Sequence, residues 1–94
     1  MSDIQYASAD ATIMCDTVRA EADVTMTMPS SSYPGQTITI VCGGSTVTLA
    51  PAASINNDDG ANTSGDAAVL TCINAGGNWV VSGMTAGGAA ATMA

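Results

Sequence analysis

Gln36-Thr37-Ile38-Thr39-Ile40-Val41-Cys42 is the stretch on which the fold of this chain turns. Successive side chains of a strand point to opposite faces, so Ile38, Ile40 and Cys42 share one face and Thr37, Thr39 and Val41 the other. Thr, Ile and Val at nearly every position suit a pleated, half-buried surface. Upstream, Val24-Thr25-Met26-Thr27-Met28 repeats the pattern, with Val24, Met26 and Met28 on one side, and stops at Pro29, which cannot donate to a ladder. Ser30 to Gly35 joins the two runs, and Tyr33-Pro34-Gly35 has the residues of a tight reversal. Downstream, Gly43-Gly44 predicts a hairpin with Ser45 to Leu49 returning, and Pro51 ends the run.

The same period continues further out. Ala11 to Cys15 is a first candidate strand, and Asp16 to Ala22 reads either as a short strand or as a helical turn. Ala53 to Ile55 is a candidate short strand, followed by the longest loop, through Asn56-Asn57-Asp58-Asp59-Gly60 to Asp66. Ala67 to Asn74 and Asn78 to Ser82 predict a second hairpin across Ala75-Gly76-Gly77. Beyond Gly83 the sequence is Gly, Ala, Thr and Met without period, which predicts a tail either disordered or laid against a neighbouring subunit. The expected architecture is all-β, a small antiparallel β-sandwich or barrel-like module. Residues 1–22 form an N-terminal strand or arm, 23–83 the β module and 84–94 a Gly/Ala-rich C-terminal tail.

Composition narrows what such a module does. The 94 residues include no Phe, one Trp and two Tyr, and a chain of this size buries a modest share of its surface. Small domains with this deficit are commonly completed by disulfides, a metal or oligomerisation. Histidine is absent and the cysteines are widely spaced, so the expected remedy is self-association. Acidic residues exceed the single basic one, Arg19, by seven, which predicts no nucleic-acid partner, because phosphates need Lys and Arg, and no adhesion to an anionic membrane. Met1 to Asp10 has neither the basic nor the apolar region of a signal peptide, so synthesis in the cytoplasm is expected.

Cys15, Cys42 and Cys72 are odd in number and fall with apolar neighbours: Cys15 with Ile13, Cys42 with Ile38 and Ile40, Cys72 with Leu70. Each reads as a small buried hydrophobe. Asp58, Asp59 and Asp66 with Asn56, Asn57 and Asn62 could offer hard oxygen ligands to Ca²⁺, but these are also the residues that turns select, and the spacing of a helix-loop-helix calcium loop is missing. They read first as turn residues, and no metal or cofactor site is assigned. Trp79 reads as core or subunit interface ahead of a sugar-stacking platform. Tyr6 and Tyr33 fall in candidate loops, and Met26 and Met28 read as adaptable core filling. Without His or Lys no nucleophile, base and orienting group can be assembled, so no catalytic residues and no enzymatic activity are expected.

The fragments also come in a telling order. Val24 to Pro29, then Gly35-Gln36-Thr37-Ile38-Thr39-Ile40, Val47-Thr48-Leu49-Ala50-Pro51, Ile55 with Asp59-Gly60-Ala61, and Gly77-Asn78-Trp79-Val80-Val81 together resemble the small β modules of tailed-bacteriophage structural proteins. The resemblance covers about two thirds of the chain. Members often carry Lys after the Gly-x-Thr-Ile strand, where Val41-Cys42 stands here, and Asp16 to Ala22 has no counterpart. Such modules occur as capsid decoration proteins, head fibres and tail-fibre tips, and are generally trimeric. The resemblance therefore implies a homotrimeric capsid decoration (cement) protein on the outer surface of the virion, with the major capsid protein as partner and residues 1–22 or the tail as contact arms. The alternatives are a head-fibre or tail-fibre receptor-binding module and a secreted carbohydrate-binding or adhesin domain.

Overall fold

Strand edges demand partners, and this chain finds them by changing sheets at almost every corner. The structure, a computed structural model, describes residues 4–30, 32–56 and 60–94. Its strands are β1 (Ile4–Ala7), β2 (Ala11–Thr12), β3 (Thr17–Ala20), β4 (Val24–Thr27), β5 (Thr37–Val41), β6 (Val47–Ala50), β7 (Val69–Asn74) and β8 (Trp79–Met84). β1, β3 and β5 enter one sheet and β2, β4 and β6 the other, and within each group the neighbours run parallel. Parallel neighbours need a long crossover, normally a helix. Here the crossover is a strand of the other sheet, so each coil of chain supplies both sheets. β7 then pairs antiparallel with β5 and β8 antiparallel with β7, giving the order β1-β3-β5-β7-β8.

The all-β class holds, and where antiparallel sheets were expected the five-stranded sheet is mixed and the three-stranded one parallel. The cause lies at the corners. Gly43-Gly44 makes a turn, with Ser45 N–H donating to the Cys42 carbonyl (2.9 Å), but no hairpin: both edges of β5 are taken, by β3 and β7, so β6 passes to the other sheet beside β4. The expected short strand at Ala53–Ile55 is a 3-10 turn, Ala52–Ser54, after which Ile55 makes one bridge to Trp79. Asp16 to Ala22 resolves as strand β3, which lies inside the five-stranded sheet. Tyr6, expected in a loop, lies on β1. The hairpin across Ala75-Gly76-Gly77 forms as expected.

Pairing exposes a repeat in the sequence. Ala7-Ser8-Ala9-Asp10-Ala11-Thr12-Ile13 and Ala20-Glu21-Ala22-Asp23-Val24-Thr25-Met26 match in pattern, and Ala7 lies opposite Ala20 in the register. Asp10 Oδ1 accepts the Thr25 N–H (2.8 Å), and Asp23 Oδ1 accepts the Thr46 N–H (2.8 Å). Each corner aspartate thus ties its own coil to the next one.

Inward side chains of both sheets merge into one core, with Ile13, Val18, Met26, Ile40, Leu49 and Leu70 among its fully buried members. Burial of each such side chain contributes about 1.5–3 kcal/mol before conformational entropy is charged against it. The two ends of the winding are closed differently. At the first coil the Gln5 amide stands in for a missing strand along β2, its Nε2 donating to the Thr12 carbonyl (2.9 Å) and its Oε1 accepting the Met14 N–H (2.7 Å). At the other end Thr63 bridges Thr48 and exchanges two backbone hydrogen bonds with Ala94 (2.9 and 3.0 Å). The C-terminal segment therefore lies on its own chain, with Ala90 bridging Met84 and Ala91 and Met93 packed against the core.

Candidate functional site

The outward faces of the two sheets differ in chemistry. Register sets Tyr6, Arg19, Val41, Val69 and Met84 in one row across the five-stranded sheet and Ile4, Thr17, Thr39, Thr71 and Ser82 in the next. Thr37, Ile73 and Val80 make a third, shorter row. Tyr6 is 64% exposed, and Ile4, Ile73, Val80 and Met84 are each close to half exposed, so most of the large apolar side chains that meet solvent among the described residues lie on this one face. No outward strand position on it holds a carboxylate. Its one charge is Arg19, whose guanidinium is drawn to the margin: a Cβ added at Gly43, on the turn beyond β5, would lie 3.7 Å from Nη2.

The outward face of the three-stranded sheet carries hydroxyls with acids at its corners. Thr25 and Thr48 lie opposite each other in register, as do Thr12 and Thr27 in the next row. Asp10 and Asp23 line a shallow groove with Thr25, Thr46 and Thr48. Both faces thus carry hydroxyls; the five-stranded one adds exposed Ile, Val, Met and Tyr, and the three-stranded one adds the corner aspartates.

A separate cavity of about 370 Å³ opens beside the β2–β3 corner, lined by Ile13, Cys15, Asp16, Gln36 and Ile38 among others. Gln36 Oε1 is buried there without a hydrogen-bond partner among the described residues.

The residues singled out in the sequence take these places. Trp79 is 4% exposed, its ring within the core. Cys42 and Cys72 are buried and unpaired by disulfide; burial pushes the Cys72 thiol up to about 12, with the nearby Cys42 adding to the effect. Burial also raises Cys42, against the opposing pull of a hydrogen bond with Ser64. Such thiols are poor nucleophiles at neutral pH, because little thiolate is present. Cys15 is half-buried at the cavity wall. Tyr33 is exposed.

Of the oxygen-rich loop, Asn57, Asp58 and Asp59 lie outside the described residues. The rest is committed to backbone. Asn56, at φ 50°, accepts the Val81 N–H through Oδ1 (2.8 Å) and donates from Nδ2 to the Ala61 carbonyl (3.2 Å). Asn62 Nδ2 donates to the Leu49 carbonyl (2.9 Å), and Asp66 Oδ1 accepts the Thr92 N–H (2.8 Å). Among the described residues no three of His, Cys, Asp and Glu come together as a metal-holding group.

Reading strands from Ala11 onward missed the contribution of Ile4 and Tyr6 to the apolar face. The usable signal was the repeat around Asp10 and Asp23, which sets β1 in parallel with β3 and so places Tyr6 beside Arg19. Comparison of the chain with protein-family models, curated proteins and solved structures gives no match.

Proposed function

We propose that this chain is a structural protein that works by association, a capsid decoration (cement) subunit of a tailed bacteriophage that binds copies of itself and the major capsid protein on the outer surface of the virion. The observation that carries the reading is the concentration of exposed Ile, Val, Met and Tyr on one sheet face whose outward strand positions hold no carboxylate, in an otherwise acidic chain. A contiguous apolar patch on a small protein marks a surface that meets another macromolecule. The bacteriophage assignment rests on the resemblance of the five ordered fragments, which also implies three copies in the assembly. On this reading the chain has no catalytic role: its carboxylates at Asp10, Asp23 and Asp66 hold backbone amides, and its buried thiols fill core.

Mechanistically, docking desolvates apolar side chains, and several copies engaging one lattice gain avidity that a single small contact does not give. The test is co-sedimentation of the purified protein with capsids stripped of decoration, alongside binding to host cells and glycans. Saturable binding to capsids and none to cells or glycans is expected. Binding to cells or glycans with none to capsids would move the protein to the fibre or adhesin class.

A further inference from the structure

We propose that a second cavity, where β4, β6 and β7 end and β8 begins, binds a small uncharged molecule whose carbonyl oxygen pairs with two donors that the fold leaves unmatched, Asn74 Nδ2 and Trp79 Nε1. Such a ligand site goes beyond the associating subunit and does not depend on it.

The cavity holds about 360 Å³ and is mostly apolar. Met28, Asn74 and Trp79, all buried, make its deep side, and Pro29, Ser32 and Pro51 stand nearer solvent. β4 and β6 run parallel as neighbours, so the prolines that follow them arrive at the same cavity.

Hydrogen bonding at the hairpin turn decides what Asn74 has left to offer. Its Oδ1 accepts the N–H groups of Gly76 (2.8 Å) and Gly77 (3.4 Å), which fixes the orientation of the amide and directs Nδ2 elsewhere. Neither Nδ2 nor the indole Nε1–H of Trp79 has a hydrogen-bond partner among the described residues. A buried Trp N–H usually finds one. Both residues are only 4% exposed, yet neither donor is sealed: among the described residues the sealed, unpartnered side-chain atom is Gln36 Oε1. What stays open on Asn74 and Trp79 lies along the cavity they both line. An unpaired donor in an apolar wall is costly, and a ligand acceptor recovers that cost.

These groups select the ligand. No described lining side chain is ionisable, so a cation finds no counter-charge, and the net charge of −7 repels an anion. Two donors among mostly apolar walls call for acceptor oxygen on a hydrocarbon body. A sugar fits less well, because each hydroxyl also brings a donor and the deep side chains have no uncommitted oxygen to receive it. The volume is near the lower end of small-molecule sites, which run from roughly 300 to 1,000 Å³, so the ligand is about one ring in size. The chemical class is a single-ring ketone, lactam or tertiary amide.

Nitrogen-15 NMR of the folded chain tests the site, since its single tryptophan gives one indole N–H signal. Titration with cyclohexanone and with N-methylpyrrolidone is expected to move that signal and the Asn74 side-chain amide saturably, while cyclohexanecarboxylate and glucose move neither. Asn74→Asp keeps the oxygen that holds the turn and removes the donor, and is expected to weaken binding at least about tenfold. Ser32→Phe places a ring in the cavity from a connecting loop and is expected to abolish binding with the melting temperature unchanged. Absence of a saturable shift with either carbonyl probe, an equal shift with glucose or the carboxylate, or undiminished binding in Ser32→Phe would overturn the site. None of these results bears on binding to capsids, so the associating subunit stands or falls separately.

Discussion

The winding half, β1 to β6, and the hairpin half, β7 and β8, use the same alternation of apolar and polar residues and end with opposite pairings. The difference lies in what their turns hold on to. At the hairpin, Asn74 Oδ1 accepts the N–H groups of Gly76 (2.8 Å) and Gly77 (3.4 Å), and Ala75 N–H donates to the Asn78 carbonyl (2.8 Å). Gly76 and Gly77, at φ 93° and 106°, reverse the chain where a side chain would be strained, so the turn is complete within itself. In the winding half the corner aspartates accept amides from the following coil, fifteen residues on for Asp10 and twenty-three for Asp23. A turn satisfied locally returns a strand to its neighbour only where the neighbouring edge is free, as it is beside β7 and is not beside β5, whose locally closed Gly43-Gly44 turn leads to the other sheet. A corner satisfied at a distance sends the chain across to the other sheet.

The largest expected effect breaks the junction between the halves. Gly65, at φ 60°, passes so close to the Thr92 carbonyl that any Cβ would collide with backbone. Gly65→Ala is expected to cost about 3–5 kcal/mol, from combined overpacking and left-handed strain, read as a fall in the midpoint of urea unfolding. An unchanged midpoint would mean that the C-terminal segment does not lie where the structure puts it. Next come Met26→Ala in the winding half and Leu70→Ala in the hairpin half, both fully buried. Each is expected to cost about 2–5 kcal/mol within a single cooperative transition, because both side chains belong to one core. Two separate melting steps in either variant would show that the halves fold as independent units.

Smaller changes sharpen the contrast between turns. Gly77→Ala is expected to cost about 1–2 kcal/mol through its backbone angle and to speed amide exchange mainly in β7 and β8. Asp23→Ala removes the acceptor of the Thr46 N–H and is expected to cost about 1 kcal/mol, with faster exchange in β4 and β6, while Asp23→Asn, which keeps an acceptor, costs less. If Asp23→Ala loosened β7 and β8 as much as β4 and β6, the corner would not be acting between coils.

The smallest effect at neutral pH comes from the thiols. Cys72 is raised from 9.0 to about 12 in the fold, so its contribution to stability is complete below the unfolded value and is lost as the pH climbs from 9.0 through about 12. Melting points measured over that range are expected to fall, and less steeply for Cys72→Ala than for the wild type. At neutral pH a thiol reagent is expected to label Cys15 in the folded protein and all three cysteines once it is unfolded.

Much of this was legible from local pattern. Thr37 to Val41, Val24 to Thr27 and the hairpin across Gly76-Gly77 follow from period and turn residues alone, as does the burial of Ile38, Ile40, Cys42 and Cys72. β1 is hard to place within residues 1–22 from sequence, because so short a run as Ile4-Gln5-Tyr6-Ala7 has weak period and its partner, β3, fits either a strand or a helical turn. The candidate interface needed more than the period: Tyr6, Val41, Val69 and Met84 come from distant parts of the sequence and line up only once register is set.

Composition and period alone give the class of structure, the alternation that sends each side chain inward or outward, the acidic balance and the scarcity of bulky core residues. Which strands are neighbours, that β1, β3 and β5 run parallel, and that most of the described exposed apolar residues gather on one face emerge only once the chain is folded. Alternation fixes a direction for every side chain and leaves the partner open. Pairing is chosen by hydrogen bonds and packing between residues far apart along the chain, such as Asp23 with Thr46 and Gly65 with Thr92.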